Sequence, residues 1–394
     1  MKIFVIACEP SGDLHGAHLV EELKKVEPDL ECRGLGGPKM AAAGVSLLTD
    51  MTQISALGFG DVLRRYFTYR KIFYRALEDA RRFKPDALVL IDSPAFNLRF
   101  AKKINREFPV LYYIAPQIWA WGARRIRTIK KTVSKMLVIL PFEVPIYEKA
   151  GVPCEFTGHP LLDQIPEPAD REALRKRLGI PPGRRAVGLF AGSRESEVRR
   201  ILPLMLRTAA RLKEKLPETV FFLHRSENIS QALYQSLCPS PSPLPLGERD
   251  RVRGETDCEI RHSEIPFYDL VRAVDFALVT SGTATLEAAL LGTPFFLFYK
   301  AGWSTYFLGK YLVRVPYLGL VNLLAGKSVV PEFIQGNIRP GLVAQEAAAF
   351  LENRGRYEAM KREFTAVREK LGQKGAGARA ARAVTAFLRE GTAR

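Results

Sequence analysis

The sequence predicts an α/β protein built from two doubly wound, Rossmann-like domains facing a cleft. Three observations predict it. The chain has 394 residues, more than one ordinary core holds and enough for two domains. Apolar strand-like runs alternate with helical patterns almost throughout, the signature of a parallel sheet covered on both faces. The alternation restarts after Pro166-Glu167-Pro168, a natural linker.

In chain order, the first half offers strands at Ile3–Ala7, Ala87–Ile91, Val110–Ile114 and Met136–Leu140. Helical periodicity covers about 15–26, 62–83, 97–108 and 124–133. The second half offers strands at Ala186–Phe190, Val220–Leu223, Phe276–Val279 and Pro294–Phe298, with helices at 196–216, 283–291 and 344–351. The expected division is a first domain over 1–165 and a second over 166–355. Helices within 356–394 are expected to pack back on the first domain or on a partner chain. Residues 239–256 open on a Pro/Ser-rich run without apolar period and read as a flexible insertion.

Composition narrows the function. Apolar residues make up 47% and charged residues 26%, which excludes a disordered chain. The formal charge of +17 asks for an anionic partner: nucleic acid, a lipid surface or a phosphorylated substrate. Residues 57–140 carry a net +12 and residues 353–394 a net +7, so the excess is regional. No recognised nucleic-acid motif accompanies it, and the aromatics are not spaced as stacking platforms, so a nucleic-acid partner is not expected. Five cysteines without a CxxC pair indicate neither a disulfide framework nor a zinc site and suit a reducing cytoplasm. The five apolar residues after Lys2 are too few for a signal peptide, and no apolar run approaches the ~18 residues of a membrane span.

Five segments could carry chemistry. Glu9-Pro-Ser-Gly-Asp-Leu-His-Gly16 follows the first strand where a dinucleotide fingerprint would lie, but its acidic groups would repel a pyrophosphate. Ser11 and Asp13 suit a capped helix start, Gly12 a tight turn, and the pair could orient a sugar hydroxyl. Asp92 ends an apolar strand, where ligands bind in open α/β sheets; it is either a helix cap or a general base with a raised pKa. Gly192, Ser193 and Arg194 follow the first strand of the second half, the glycine permitting close backbone approach and the arginine phosphate binding. Ser281, Gly282 and Thr283 open a helix whose free N–H groups suit an anion, and Glu287 one turn on could hold ribose hydroxyls. No Asp-x-Asp occurs, so protein cations and helix dipoles rather than a metal would stabilise a leaving diphosphate. The fifth segment, 57–73, mixes Leu57, Phe59, Val62, Leu63 and Phe67 with Arg64, Arg65, Arg70 and Lys71. That mixture suits a helix lying on anionic lipid or an ordinary packed helix.

Taken together, EPSGDLHGA (9–17), GLGGPKM (34–40), LGFGDVL (57–63), IDSPAFNLR (91–99), PQIWAW (116–121), LPFEVPIYEKAGVPCEFTGHP (140–160), GSRESEV (192–198), SGTATLEAALLGTP (281–294) and NLLAGKSVVPEFIQ (322–335) resemble the lipid-A-disaccharide synthase family, glycosyltransferases of GT-B architecture. Cys8, Ala95 and Ala191 stand where the family usually has Gly, Asp and Pro. The loss of an aspartate at 95 leaves Asp92 as the matching carboxylate. The resemblance implies an inverting transfer from UDP-2,3-diacylglucosamine to 2,3-diacylglucosamine 1-phosphate (lipid X), giving the β-1,6 disaccharide 1-phosphate and UDP. It further implies Asp92 as base, Ser11 and Asp13 on the acceptor side, and Asn322 with Glu287 on the nucleotide. No cofactor or metal is expected. The expected setting is peripheral, on the cytoplasmic face of the inner membrane, with a homodimer as a further expectation. A nucleotide-sugar epimerase of similar two-domain build is the alternative.

Overall fold

A computed structural model describes residues 1–56, 62–238, 251–253, 259–263, 265–303, 306 and 315–392; at 54–56, 62–66, 251–253, 259 and 391–392 it describes the backbone alone. The chain forms two compact units, residues 1–164 with 371–394, and residues 165–370.

The first unit is a seven-stranded parallel sheet. Its strands are β1 (Lys2–Ala7), β2 (Glu31–Gly36), β3 (Ser46–Asp50), β4 (Ala87–Ile91), β5 (Val110–Tyr113), β6 (Lys135–Val138) and β7 (Cys154–Phe156). They lie in the order β3-β2-β1-β4-β5-β6-β7. Because side chains alternate along a strand, Phe4, Ile6, Leu88, Leu90 and Tyr112 face one buried layer, which includes the helices Val62–Phe83 and Pro94–Ile104. Ile3, Val5, Val89, Ile91, Leu111 and Tyr113 face the other, which includes the helices Pro10–Val26 and Ala376–Thr392. Strands β2, β3 and β7 are absent from the sequence reading, for a visible reason. β2 contains Gly34 and Gly36 instead of an apolar run, and β3 and β7 are half-buried edges. Gly34 is obligatory: at φ +153° a Cβ there would lie 1.9 Å from the Val5 carbonyl oxygen.

The second unit repeats the plan with β8 (Ala186–Phe190), β9 (Val220–Leu223), β10 (Arg251–Arg253), β11 (Glu259–His262), β12 (Phe276–Thr280), β13 (Phe295–Tyr299) and β14 (Glu332–Ile334). The order is β10-β11-β9-β8-β12-β13-β14, all parallel except the β10–β11 pair. β10 lies inside the segment read as a flexible insertion. Three of its residues instead add an antiparallel edge to β11, while 239–250 and 254–256 lie outside the described residues.

The C-terminal helices are not one group. The helix Arg354–Lys370 buries Met360, Phe364 and Val367 in the second unit, Phe364 stacking 5.7 Å from Phe295. The helix Ala376–Thr392 buries Ala376, Ala380, Ala381 and Val384 in the first unit, beside the helix Pro10–Val26 of its own chain. Small residues permit that close approach. The Asp163 carboxylate accepts from Gly375 N (2.5 Å) and Ala376 N (3.0 Å) at its start. Folding back is therefore confined to residues from Leu371 on, because the apolar stripe of 354–370 matches the second unit.

Candidate functional site

Each sheet reverses its strand order once, between β1 and β4 in the first unit and between β8 and β12 in the second. Crevices outside the carboxyl ends of such strands are where open α/β sheets bind ligands. Four of the five segments read from the sequence sit at these four strand ends.

In the first unit, the chain leaves β1 through Cys8 and Glu9 straight into the helix Pro10–Val26, with Pro10 at its first position. Ser11 is exposed in the opening turn, and Gly12 is a helical residue with no left-handed φ, so the expected tight turn is absent. Asp13 does not cap its own helix. Its carboxylate is 2% exposed and accepts from Gly37 N (2.7 Å), Met40 N (3.0 Å) and Lys39 N (3.1 Å). It caps the helix Pro38–Ala42 and ties the Gly34–Met40 segment to the first helix; its oxygens are committed to backbone, which makes it a positioning group.

Asp92 leaves β4 in an unusual conformation. Asp92 and Ser93 both have left-handed φ, +47° and +44°, a region that costs ordinary residues energy. Pro94 then starts the next helix, whose first turn is closed by Phe96 N and Asn97 N donating to Ser93 O at 3.1 and 3.0 Å. The Asp92 carbonyl accepts from the Tyr112 hydroxyl (2.5 Å) and from Asn97 Nδ2 (2.8 Å). The Asp92 carboxyl is raised above the ordinary carboxylate range, chiefly by burial and further by the nearby Glu9 charge, against a lowering hydrogen bond from Ser93 N–H. Cys8 is pushed up to about 12 by burial and then by Glu9, so it stays a thiol.

A buried acid in the 140–160 segment is not among the candidate site residues. Glu143 is 1% exposed and accepts from Trp119 Nε1 (3.0 Å) and Leu140 N (3.3 Å). Burial raises it to about 7. Trp119 thus has a polar partner as well as a packing role, stacking edge-on with Phe142 at 5.1 Å.

In the second unit, Gly192 holds φ +107°, and a Cβ there would sit 2.5 Å from Glu197 Oε2. Ser193 N and Arg194 N donate to that oxygen (3.3 Å each), and Arg194 Nη1 reaches Glu197 Oε1 (3.1 Å). Glu197, absent from the sequence reading, therefore shapes the turn; its signal was its place three residues after Arg194 at a helix start. The Arg194 side chain is 80% exposed, so exchanging Glu197 for another anion costs little. At the neighbouring strand end, Gly282 and Thr283 are exposed and Ser281 half-buried at the start of the helix Thr283–Leu290, where free N–H groups point outward. Glu287 accepts from Tyr268 Oη (2.9 Å) and is raised by burial against that bond. Phe267 stacks edge-on with Phe190 and His224, each at 5.2 Å, giving the turn an aromatic neighbour.

Asn322 does not offer its amide to a ligand. It is 1% exposed and fully used: Nδ2 donates to Val330 O (2.8 Å) and Glu332 Oε1 (2.9 Å), and Oδ1 accepts from Val329 N and Val330 N (2.8 Å each). With its donors and acceptor paired, this side chain holds the 329–332 segment together.

Of the expected lipid-contact residues, Leu57 and Phe59 lie outside the described residues, as do the side chains of Val62 and Leu63. Phe67 is 57% exposed and Tyr74 45%, on the same helix whose other face buries Ile72, Ala76 and Ala80. Among the described residues, no helix is long and apolar enough to cross a membrane.

A family model described as lipid-A-disaccharide synthetase matches residues 3–387. A lipid-A-disaccharide synthase of Syntrophus aciditrophicus is 40% identical over 380 residues, covering 96% of each chain. Two solved structures share the fold at low identity. MurG of Acinetobacter baumannii has a TM-score of 0.56 at 12% identity, with 99% of both chains covered. The UDP-GlcNAc 2-epimerase of Neisseria meningitidis bound to UDP-GlcNAc has 0.58 at 12%, with 99% of this chain and 100% of that one covered.

Proposed function

The chain belongs to the lipid-A-disaccharide synthetase family, and from that premise we propose how its residues divide the reaction. It is a GT-B glycosyltransferase of lipid A biosynthesis, acting on a nucleotide sugar and a lipid acceptor. The donor is UDP-2,3-diacylglucosamine and the acceptor 2,3-diacylglucosamine 1-phosphate. The epimerase reading is not favoured, since its similarity is one of fold at 12% identity.

The Asp92 carboxylate takes the proton of the acceptor 6-hydroxyl as that oxygen bonds to the donor anomeric carbon. The bond from that carbon to the diphosphate breaks, and its electron pair leaves with UDP, inverting the centre. Asp92 follows the carboxyl end of β4 where the strand order switches, and this placement carries the assignment; burial, which raises its carboxyl, makes it a stronger base than one in water. Arg194 exchanges Glu197 for the diphosphate, and the helix start at Ser281–Thr283 adds N–H donors, so the departing charge needs no metal. Glu287, which accepts from Tyr268, takes the ribose hydroxyls in this reading. Ser11 is on the acceptor side, with Asp13 holding the segment behind it.

The exposed Phe67 on a basic helix supports peripheral binding to anionic lipid. The assignment of Asp92 is tested with Asp92→Asn. Unchanged UDP affinity with disaccharide formation reduced by about 10²–10⁴-fold supports it; near-full turnover refutes it. Activity that survives chelation by EDTA supports the metal-free step, and loss of it with unchanged UDP binding refutes that step.

A further inference from the structure

We propose that Tyr112 and Asn97 are positioning residues that aim Asp92, an inference that rests on Asp92 being the base. Two consecutive non-glycine residues in the left-handed region do not hold that conformation on their own. At this turn the restraint is visible. The Asp92 carbonyl oxygen takes two donors at once, Tyr112 Oη at 2.5 Å and Asn97 Nδ2 at 2.8 Å. The same Asn97 nitrogen also donates to Ile91 O at 3.0 Å, and Asp92 N donates to Tyr113 O at 3.1 Å. The backbone is thereby pinned on both sides of the carboxylate-bearing Cα.

Both donors are 0% exposed. Tyr112 is on β5, paired in register with Leu90 of β4, and its ring belongs to an apolar layer that a phenylalanine would fill equally well. Its hydroxyl is therefore surplus to packing, and it donates to the Asp92 carbonyl. Asn97 comes from the first turn of the helix that Pro94 starts, so the sheet and the helix each supply one grip. A carbonyl released from them lets the turn relax toward φ below zero, which swings the carboxylate away from the acceptor hydroxyl. A base misplaced by about 1 Å can lose about 10²-fold in rate.

The test is a double-mutant cycle. Tyr112→Phe keeps the ring and removes only the hydroxyl; Asn97→Ala removes the second grip. In the parent, Tyr112→Phe is expected to lower kcat at least about tenfold, with KM for the UDP-sugar and the affinity for UDP unchanged. In the Asp92→Asn background, the same change is expected to lower turnover no further, because a mispositioned base that is already absent has nothing left to lose. Asn97→Ala should follow the same pattern. An equal loss in both backgrounds shows a merely structural hydroxyl and overturns the proposal, as does an unaffected kcat in Tyr112→Phe. If Asp92→Asn itself retains turnover, the base assignment fails first, independently of either grip.

Discussion

Asp13 separates two roles that its motif allows, and a substitution distinguishes them. Asp13→Ala removes a buried carboxylate that serves three backbone N–H groups. Two of these belong to buried residues, Gly37 and Met40, and each would be left unpaired at about 1–3 kcal/mol. Loss of the helix cap comes with the same change, so the total is about 3–5 kcal/mol. For a unit of this size, 1 kcal/mol moves the midpoint by about 2–4 °C, so melting of the first unit should fall on the order of 10 °C. Asp13→Asn keeps one acceptor oxygen for Gly37 and Met40 and loses only the bond to Lys39 N, so it should fall less than half as far. The assay is thermal unfolding followed by circular dichroism, paired with turnover at 25 °C, where both variants remain folded. Turnover of Asp13→Asn should stay within a few-fold of the parent. A melting point within about 2 °C of the parent for Asp13→Ala, or a collapse of turnover in a well-folded Asp13→Asn, refutes the positioning role.

Other consequences are equally direct. Gly192→Ala should weaken UDP binding by calorimetry about tenfold or more, because the new Cβ displaces Glu197 from the turn and strains a left-handed backbone; unchanged affinity would remove this turn from the nucleotide site. Glu143 titrates at about 7 in the fold against an ordinary 4.5, so its contribution is complete below pH 4.5 and is lost as the pH rises to about 7. That loss is about 3 kcal/mol. Urea midpoints at pH 5 and pH 8 should differ less in Glu143→Gln than in the parent, and an equal difference in both counts against the assignment. Because Asp92 is raised, the acid limb of the kcat/KM profile should lie above the ordinary carboxylate range and vanish in Asp92→Asn. Phe67→Ser should reduce co-sedimentation with phosphatidylglycerol vesicles while leaving UDP affinity intact; unchanged sedimentation argues against lipid contact through this face.

Much of this was legible in the sequence, and the illegible part has a common cause. Buried parallel strands such as Ala87–Ile91 and Phe276–Thr280 announce themselves as apolar runs, because both faces are covered. Strands β2 and β14 do not, because glycines or a half-buried edge leave no run to see. The division of the C-terminal helices was equally hidden: both 354–370 and 376–392 carry an apolar stripe, and only packing shows which unit each stripe fits.

By itself, the sequence determined the α/β class, the family and the strand-end location of the motifs, that of Asp92 included. Those follow from local patterns and from residue types at fixed spacing. Only the tertiary structure decided what each polar group is free to do. Asp13 and Asn322 have the residue types of a site, yet Asp13 is bonded to backbone N–H groups of the 37–40 segment and Asn322 to Val329, Val330 and the Glu332 carboxylate. Conversely, Tyr112 lies outside every quoted segment and Glu197 is marked only by its place after Arg194, yet they hold the turns that bear Asp92 and Arg194. A hydrogen-bonding group has few partners to give, and whether they are spent on the fold or kept for a substrate depends on which distant segments folding brings beside it.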